Sequence, residues 1–504
     1  MRYADTIIIG AGSAGTVIAT RASEDARHRV LLLEAGPDYP HHLPEDLENG
    51  ARNSLRAHDW GFSHRVNNQQ VMRFPMPRGR VVGGSSAVNT CIALRGQPYD
   101  YDEWAELGLP EWSWAQCEPA FRRLETDLDF DNELHGKDGP LPIRRHRIDE
   151  LVPWQAGFLE ACQELGYPTV EDHNAPMQSG AGSSPMNKLS GRRISAAEAY
   201  LTADVRRRPN LVIQPDTLVR RILFQGTRAV GIEVEHHGRV ERCFGERIVL
   251  TAGALCTPSL LIRSGVGPWK DLERLGVPHV ADVPGVGRRL LDHPGCAIFM
   301  RVRRGFVRNA PLIQTMLRYG STSGPDCNMT IQPGSMVPLA GIEQVALCSI
   351  MAAVGKPSGQ GRIVVTSSDP RAKPLVESRL LDHDADRRDA VEAMQRAFEL
   401  SQTRALRSLA TPFWPSARVL KNPRRIDRWI RWATDSGYHP SGTVPMGPDS
   451  DPEAACDGRG RVRAIRGLFV ADASIMPTIP TANTNLPTLM IGERFGQWLR
   501  DGQL

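Results

Sequence analysis

Paired cysteines are missing from this chain. Its 504 residues include nine Cys: Cys91, Cys117, Cys162, Cys243, Cys256, Cys296, Cys327, Cys348 and Cys456. The number is odd, the spacings are wide and no Cys-x-x-Cys pair occurs. Neither a disulfide framework nor a zinc site is signalled. Reduced thiols point to a cytoplasmic protein. Long apolar runs are missing too. The longest, Val345–Ile350 continued by Met351–Val354, is too short and too mixed to span a bilayer. The apolar Ile7–Ile9 follows Asp5 and is broken by Gly10, Gly12 and Gly15, which suits a strand rather than a secretory segment. Internal repeats and low-complexity linkers are absent. Lysine is scarce beside arginine, and the net charge is only +4. The basic clusters Arg144–Arg147, Arg206–Arg208 and Arg220–Arg221 are short and scattered. They read as solvated faces, and no nucleic-acid partner is expected. No His-Glu-x-x-His, P-loop or G-x-S-x-G occurs, so hydrolase and NTPase readings have no support, and no metal site is expected.

What is present is an ordinary globular balance, 41% hydrophobic and 23% charged, with length for two to four domains or two large ones. Thr6–Ile9 is a β-branched run, as a buried parallel strand would be. It enters Gly10-Ala11-Gly12-Ser13-Ala14-Gly15, followed by an apolar helical stretch and a second strand, Val30–Leu33, that ends in Glu34 and Ala35. Gly10 permits the tight turn, Gly12 lets backbone approach a pyrophosphate, and Gly15 lets helix pack on strand. Glu34 is placed to accept from a ribose hydroxyl and to repel a 2′-phosphate. Together these predict a dinucleotide site, without choosing between FAD and NAD.

Three further segments add detail. Residues 78–89, RGRVVGGSSAVN, carry paired glycines that let backbone press on a flat ring. The strand IVLTA, residues 248–252, runs into Gly253 and a helical stretch. Near the end, Leu468–Val470 is a strand tipped by Asp472, and a helix is opened by Pro487.

In these motifs the chain resembles the glucose–methanol–choline oxidoreductases, which use FAD. Five segments match in order over nearly the whole chain: GAGSAG with LLLEAG; RGRVVGGSSAVN; TAGALCTPSLLIRSGVG; PGVGRRLLDHP; and YHPSGTVPMG with LFVADASIMPTIPTANTNLPTLMIGE. Asp59-Trp60 and Ser195–Leu201 match as well. The resemblance implies a discontinuous Rossmann-type FAD-binding domain, residues 1–135, 196–296 and 436–504. Residues 136–195 and 297–435 would form a substrate-binding domain built on an antiparallel sheet. Gly361–Thr366 and 345–354 suit its strands, and Arg387–Gln402 an amphipathic helix.

The same resemblance implies the FAD contacts. Gly10, Gly12, Ser13, Ala14, Gly15, Glu34 and Ala35 would hold the ADP half, with Val219, Ala252 and Gly253 around the adenine. Trp60, Arg80, Val82, Gly84, Ser85, Asn89 and Cys91 would follow toward the flavin. Asp472 and Ala473 would reach the pyrophosphate and ribityl, and the helix at Pro487 would aim its positive end at the flavin. Some members attach FAD through a His one residue before the asparagine of the second motif. Val88 stands there in this chain, so non-covalent FAD is expected.

Alcohol oxidation needs a base at the hydroxyl, and flavin carries the rest. His439, in YHPSGT, matches the family's active-site His, and Asn485 its second active-site position. Asn485 alone also suits a helix cap. His293 reads as structural. The expected activity is oxidation of an alcohol to an aldehyde or ketone, with oxygen or another electron acceptor. Two alternatives remain: a redox-silent hydroxynitrile-cleaving lyase of the same fold, and a non-catalytic flavoprotein. Choline is not favoured, because no aromatic cage or carboxylate for a quaternary ammonium can be located. Which alcohol reacts and which oligomer forms stay open.

Overall fold

The computed structural model describes residues 3–304, 310–337 and 347–504. Two hydrophobic cores organise them. The first lies around a sheet in which Leu211–Gln214, Val30–Leu33, Tyr3–Ile9 and Arg239–Leu250 are neighbours in that order, all parallel. The far end of the last strand pairs in parallel with Leu468–Val470. Its near end continues antiparallel into Arg228–His236 and then Thr217–Gln225. Val30–Leu33 is buried throughout, as a strand covered on both faces must be. The helix Ser13–Ala22 packs against this sheet and against the helix Asn485–Arg500.

The second core surrounds an antiparallel sheet of order Ala410–Trp414, Pro294–Val302, Leu347–Val354, Met329–Gly334, Thr315–Tyr319 and Gly180–Ser183. Successive side chains of a strand point to opposite faces, and here the alternation divides two environments. Ile298, Ile331, Ile350 and Ala352 face the helices Pro153–Glu164 and Asp384–Gln402. Thr330, Gln332, Gly334, Ser349, Met351 and Ala353 face an open cavity between the two sheets.

Some sequence expectations shift. Gly361–Thr366 yields the strand Arg362–Val364, which belongs to a small separate sheet with Leu375–Glu377, Phe62–Arg65 and Arg73–Met76. Of residues 345–354, Leu347–Val354 is a strand, while 345 and 346 lie outside the described residues. The helix expected from Arg387 begins at Asp384. The C-terminal helix begins at Asn485, not at Pro487. Pro487 sits in its first turn, where the missing N–H would have no partner in any case.

Arg145, expected on a solvated face, is buried. It pairs with Asp127 at 2.9 Å and with Asp172 at 2.7 Å. His135 lies against Glu125, Asp127 and Asp172 at 2.9 to 3.0 Å. Burial alone would lower its pKa, but these carboxylates outweigh burial and push it up to about 10. Glu125, Asp127 and His135 are close enough to share an ion, but a protonated imidazole, Arg95 and Arg145 already neutralise the acids. No disulfide links the cysteines among the described residues. No helix among the described residues is long and apolar enough to cross a membrane.

One tight contact in the first core is at Gly15. A Cβ there would lie 2.0 Å from the Gly10 carbonyl oxygen and 2.6 Å from Thr251 Oγ1. Gly15→Ala should therefore cost about 1–3 kcal/mol, the usual range for overpacking. Thermal unfolding would show a lowered midpoint, and an unchanged midpoint would contradict this packing.

Candidate active site

The cavity between the sheets has a volume of about 580 Å³. Three helices begin on its wall. Gly12 caps Ser13–Ala22, Ala252 precedes Gly253–Arg263, and Thr484 precedes Asn485–Arg500. Gly12, Ser13, Ala252, Gly253, Thr484 and Asn485 all line it. Helix N-termini present unpaired N–H groups and a partial positive charge, so one end of the cavity favours an anion such as a pyrophosphate.

The glycines keep this wall thin. Gly10 has φ +105°, and a Cβ on it would meet the Thr251 carbonyl oxygen at 2.6 Å. Gly84 has φ +54° and lies so close to Gly12 that a Cβ would meet its Cα at 2.7 Å. The amide of Gly83 donates to the Ala11 carbonyl at 2.7 Å. The second glycine motif is thus laid directly on the first. Beside Gly253, by contrast, a Cβ would meet nothing within 4 Å.

Of the residues expected to hold a cofactor, fifteen line the cavity. They are Gly10, Gly12, Ser13, Ala14, Glu34, Ala35, Trp60, Gly84, Ser85, Asn89, Val219, Ala252, Gly253, Asp472 and Ala473. Five do not. Gly15 is spent on packing. Arg80 is exposed, lies over the Trp60 ring at 5.2 Å and donates to the Ala35 carbonyl. Val82 and Cys91 are buried behind the wall, and Pro487 lies inside the helix turn. Asp472 lines the cavity, but its carboxylate is already committed. It accepts from the Gly253 amide at 2.8 Å, Thr257 Oγ1 at 2.7 Å and the Ser474 amide at 2.8 Å. Its carboxylate therefore ties one helix start to the last strand and has little left for a ligand.

Glu34 is buried, with Oε2 accepting from the Ala11 amide at 3.1 Å and Oε1 from the Gly36 amide at 2.9 Å. Burial outweighs these bonds and pushes its pKa up to about 7.

The other end of the cavity carries two histidines. His439 Nδ1 lies 2.9 Å from His293 Nδ1, and His293 Nε2 lies 3.0 Å from the Pro480 carbonyl oxygen. A carbonyl can only accept, so His293 carries its proton on Nε2 and accepts at Nδ1. His439 must then donate from Nδ1, which leaves its Nε2 unprotonated. That atom is 3.0 Å from Asn483 Nδ2, an amide that can donate to it. Burial pushes the His293 pKa down to about 4. Burial, then His293 and Arg78, hold that of His439 well below the usual histidine value. Both rings are neutral over the ordinary pH range, as this hydrogen-bond pattern requires.

The backbone at His439 is held as firmly as its ring. Asp292 Oδ1 accepts from the amides of His293 and His439, each at 2.9 Å. Tyr438 has φ +64°, uncommon for a tyrosine, and half-buried Arg78 donates to its carbonyl at 2.7 Å.

The expected pairing of His439 with Asn485 is not what the structure shows. Asn485 Oδ1 accepts from Ser13 Oγ at 2.8 Å, which turns this side chain toward the glycine-motif helix. Asn483, two residues earlier and still outside the helix, takes the place beside His439. Sequence reasoning also missed His293 as a partner of His439, because the two are 146 positions apart.

The residues present fit an FAD. Asn485 Nδ2 is buried, lines the cavity and has no hydrogen-bond partner. Such a donor, together with three helix starts at one end, suits a long, anionic, hydrogen-bonding group.

Glu34 gives a test that needs no turnover. Its folded-state pKa, near 7, lies above the ordinary value of 4.5. The native state thus holds the extra proton, and the stability of cofactor-free protein falls as pH rises from about 4.5 to about 7. Glu34→Gln removes that titration. The difference in stability between wild type and variant should change across this window and be flat outside it. Parallel curves through the window would contradict the burial of an ionisable Glu34.

Comparison with known proteins agrees with this arrangement. Two family models described as GMC oxidoreductase match residues 4–295 and 357–492. The 5-(hydroxymethyl)furfural oxidase of Methylovorus sp. is 34% identical over 519 residues, covering 97% of each chain. The mitochondrial choline dehydrogenase of Homo sapiens is 34% identical over 528 residues, covering 97% of this chain and 88% of the relative. Among solved structures, pyridoxine 4-oxidase from Mesorbium loti superposes with a TM-score of 0.91 at 30% identity, covering 99% of both chains. The chain belongs to the GMC oxidoreductase family, with an FAD-binding Rossmann-type domain and a substrate domain.

Proposed function

We propose that His439 is the base of an FAD-dependent alcohol oxidation and that Asn483, rather than Asn485, shares the substrate oxygen with it. Membership of the family makes the chain an FAD-dependent oxidoreductase acting on CH–OH donors. No relative named above is a lyase, and the hydroxynitrile-cleaving alternative is set aside. The observation that carries the assignment of the base is the chain from Pro480 through His293 to His439, which leaves Nε2 of His439 free of a proton.

Bound FAD supplies the acceptor for the hydride. The rest is done by the protein. An alcohol oxygen set beside His439 Nε2 and Asn483 Nδ2 gives its hydroxyl proton to the imidazole and accepts a hydrogen bond from the amide. The amide cannot take a proton, so its part is orientation and stabilisation of the developing alkoxide. His293 and Asp292 act through His439: one fixes its tautomer and the other its backbone. Asn485 and the helix it opens serve the cofactor end, where the free amide N–H and helix N-terminus favour an anionic group.

FAD is held without a covalent bond in this reading. Val88 lines the cavity, and its hydrocarbon side chain has no nucleophile. Cys256 also lines the cavity, but burial pushes its thiol up to about 12, which removes the thiolate. After acid precipitation the yellow colour should stay in the supernatant. Flavin fixed to the precipitated chain would contradict this.

His439→Ala should slow anaerobic flavin reduction by about 10² to 10⁴-fold, the range for a positioned acid–base group, with flavin content retained. Asn483→Ala should slow it less, while Asn485→Ala should mainly lower flavin retention. With the pKa of His439 held down, wild-type reduction should stay level from alkaline pH through the usual histidine range and fall only in more acid solution. Rapid-mixing measurements with an alcohol found by screening give all four results. A wild-type rate in flavin-loaded His439→Ala would remove this assignment.

A further inference from the structure

We propose that Gln332 selects the substrate, and that the alcohol it selects carries an uncharged hydrogen-bonding group about 7 Å beyond the carbon that is oxidised. This rests on the reading of His439 and Asn483 given above.

The ceiling of the cavity is a regular object. It is the open face of the antiparallel sheet, and its register fixes which side chains stand together. Thr330 pairs with Ala353, and Ala353 with Gly295, so these three form one row across the strands. Gly295 is two residues from His293, which places this row next to the histidines. Gln332 pairs with Met351 in the next row. Strand residues two apart on one face are separated by about 7 Å, and that is the step from the first row to the second.

The first row is Gly295, Ala353 and Thr330. It takes up little space, which leaves room for the body of a substrate, such as a ring, immediately beyond the reacting carbon. The second row narrows the cavity with Met351 and brings in an amide. Gln332 is 9% exposed and lines the cavity. Its neighbours Ile331 and Pro333 belong to the helix-covered side: Ile331 is in the core, and the Pro333 carbonyl accepts from Gln155 at 2.8 Å. No protein group among the described residues hydrogen-bonds the Gln332 side chain. With no protein partner, the amide on this cavity wall is free to hydrogen-bond a ligand seated there.

The chemistry of that group is legible from the amide itself. Glutamine presents one acceptor and two donors and carries no charge. It can bond a carbonyl, a hydroxyl, an amide or a ring nitrogen. It offers no countercharge to a quaternary ammonium or to a carboxylate, either of which would lose hydration on entering. The acidic residues that line the cavity among those described are Glu34 and Asp472, and both belong to the cofactor end.

A set of benzyl alcohols with one substituent at the para position tests this with the flavin-loaded enzyme. The substituents are carboxamide, methyl, carboxylate and trimethylammonium. Wild type should prefer the carboxamide over the methyl compound by about five- to tenfold in kcat/KM, chiefly through KM, in line with one neutral hydrogen bond. Both charged compounds should be poorer. Gln332→Leu should erase the carboxamide preference and leave kcat for the methyl compound unchanged. Gln332→Glu should raise the trimethylammonium compound above the carboxamide. Binding of 4-methylbenzamide against p-xylene, read from the flavin absorbance, repeats the comparison without turnover. A carboxamide preference that survives Gln332→Leu would overturn the role of Gln332, and so would equal wild-type binding of 4-methylbenzamide and p-xylene. Reduction by none of the four alcohols, with selective binding of 4-methylbenzamide intact, would instead count against the alcohol-oxidation reading of His439 and leave Gln332 as the recognition group.

Discussion

One hydrogen bond sets the direction of all the others at the reactive end of the cavity. The Pro480 carbonyl lies 3.0 Å from His293 Nε2, and a carbonyl has no proton to give. From that single fact the tautomer of His293 follows, then that of His439, then the unprotonated state of His439 Nε2. The arrangement holds only while both rings are neutral, and burial keeps them so. A solvent-exposed pair of histidines would titrate near pH 6.5, and the pattern would be lost in half the molecules there.

The rest of the architecture serves that end and its opposite. Two backbone segments far apart in sequence, the Gly10–Gly15 turn and the Gly83–Gly84 turn, lie so close that a side chain on Gly84 would run into Gly12, while Gly10 is pressed against Thr251 and Ala252. They make the cofactor wall, with helix starts supplying its positive end. The antiparallel sheet makes the ceiling, and its two-residue alternation lets one strand face a hydrophobic core and a reactive cavity at once. The buried ion cluster of Arg95, Glu125, Asp127, His135, Arg145 and Asp172 draws residues 95, 125–145 and 172 together. Several charges sharing partners leave few of them uncompensated, which is the condition for burying charge at all.

What the sequence revealed was mostly local. The first strand, the glycine turn and the acid at the end of the second strand fall within 35 residues and each has its own physical signature. His439 was readable because the residues around it are distinctive. The choice between Asn483 and Asn485 was not: both stand before Pro487, where the sequence opens the helix, and only the true start of that helix, fixed by tertiary packing, decides which of them points at His439. His293 looked structural for a similar reason. Its partner is 146 residues away, and pairing across that distance leaves no periodic trace. Arg145 looked like a surface charge because the acids that bury it come from other segments. Gln332 could not be singled out at all, since its meaning comes from strand register and from an absent hydrogen-bond partner.

The central claim is the protonation state of one atom, and nitrogen NMR can observe it. The protein would be labelled with ¹⁵N-histidine, and His293→Asn and His439→Asn variants would assign the two rings. At neutral pH, His439 should show the chemical shifts of a neutral ring protonated on Nδ1 and bare at Nε2. His293 should be neutral and protonated on Nε2. An imidazolium at His439, or a neutral ring with its proton on Nε2, would contradict the account.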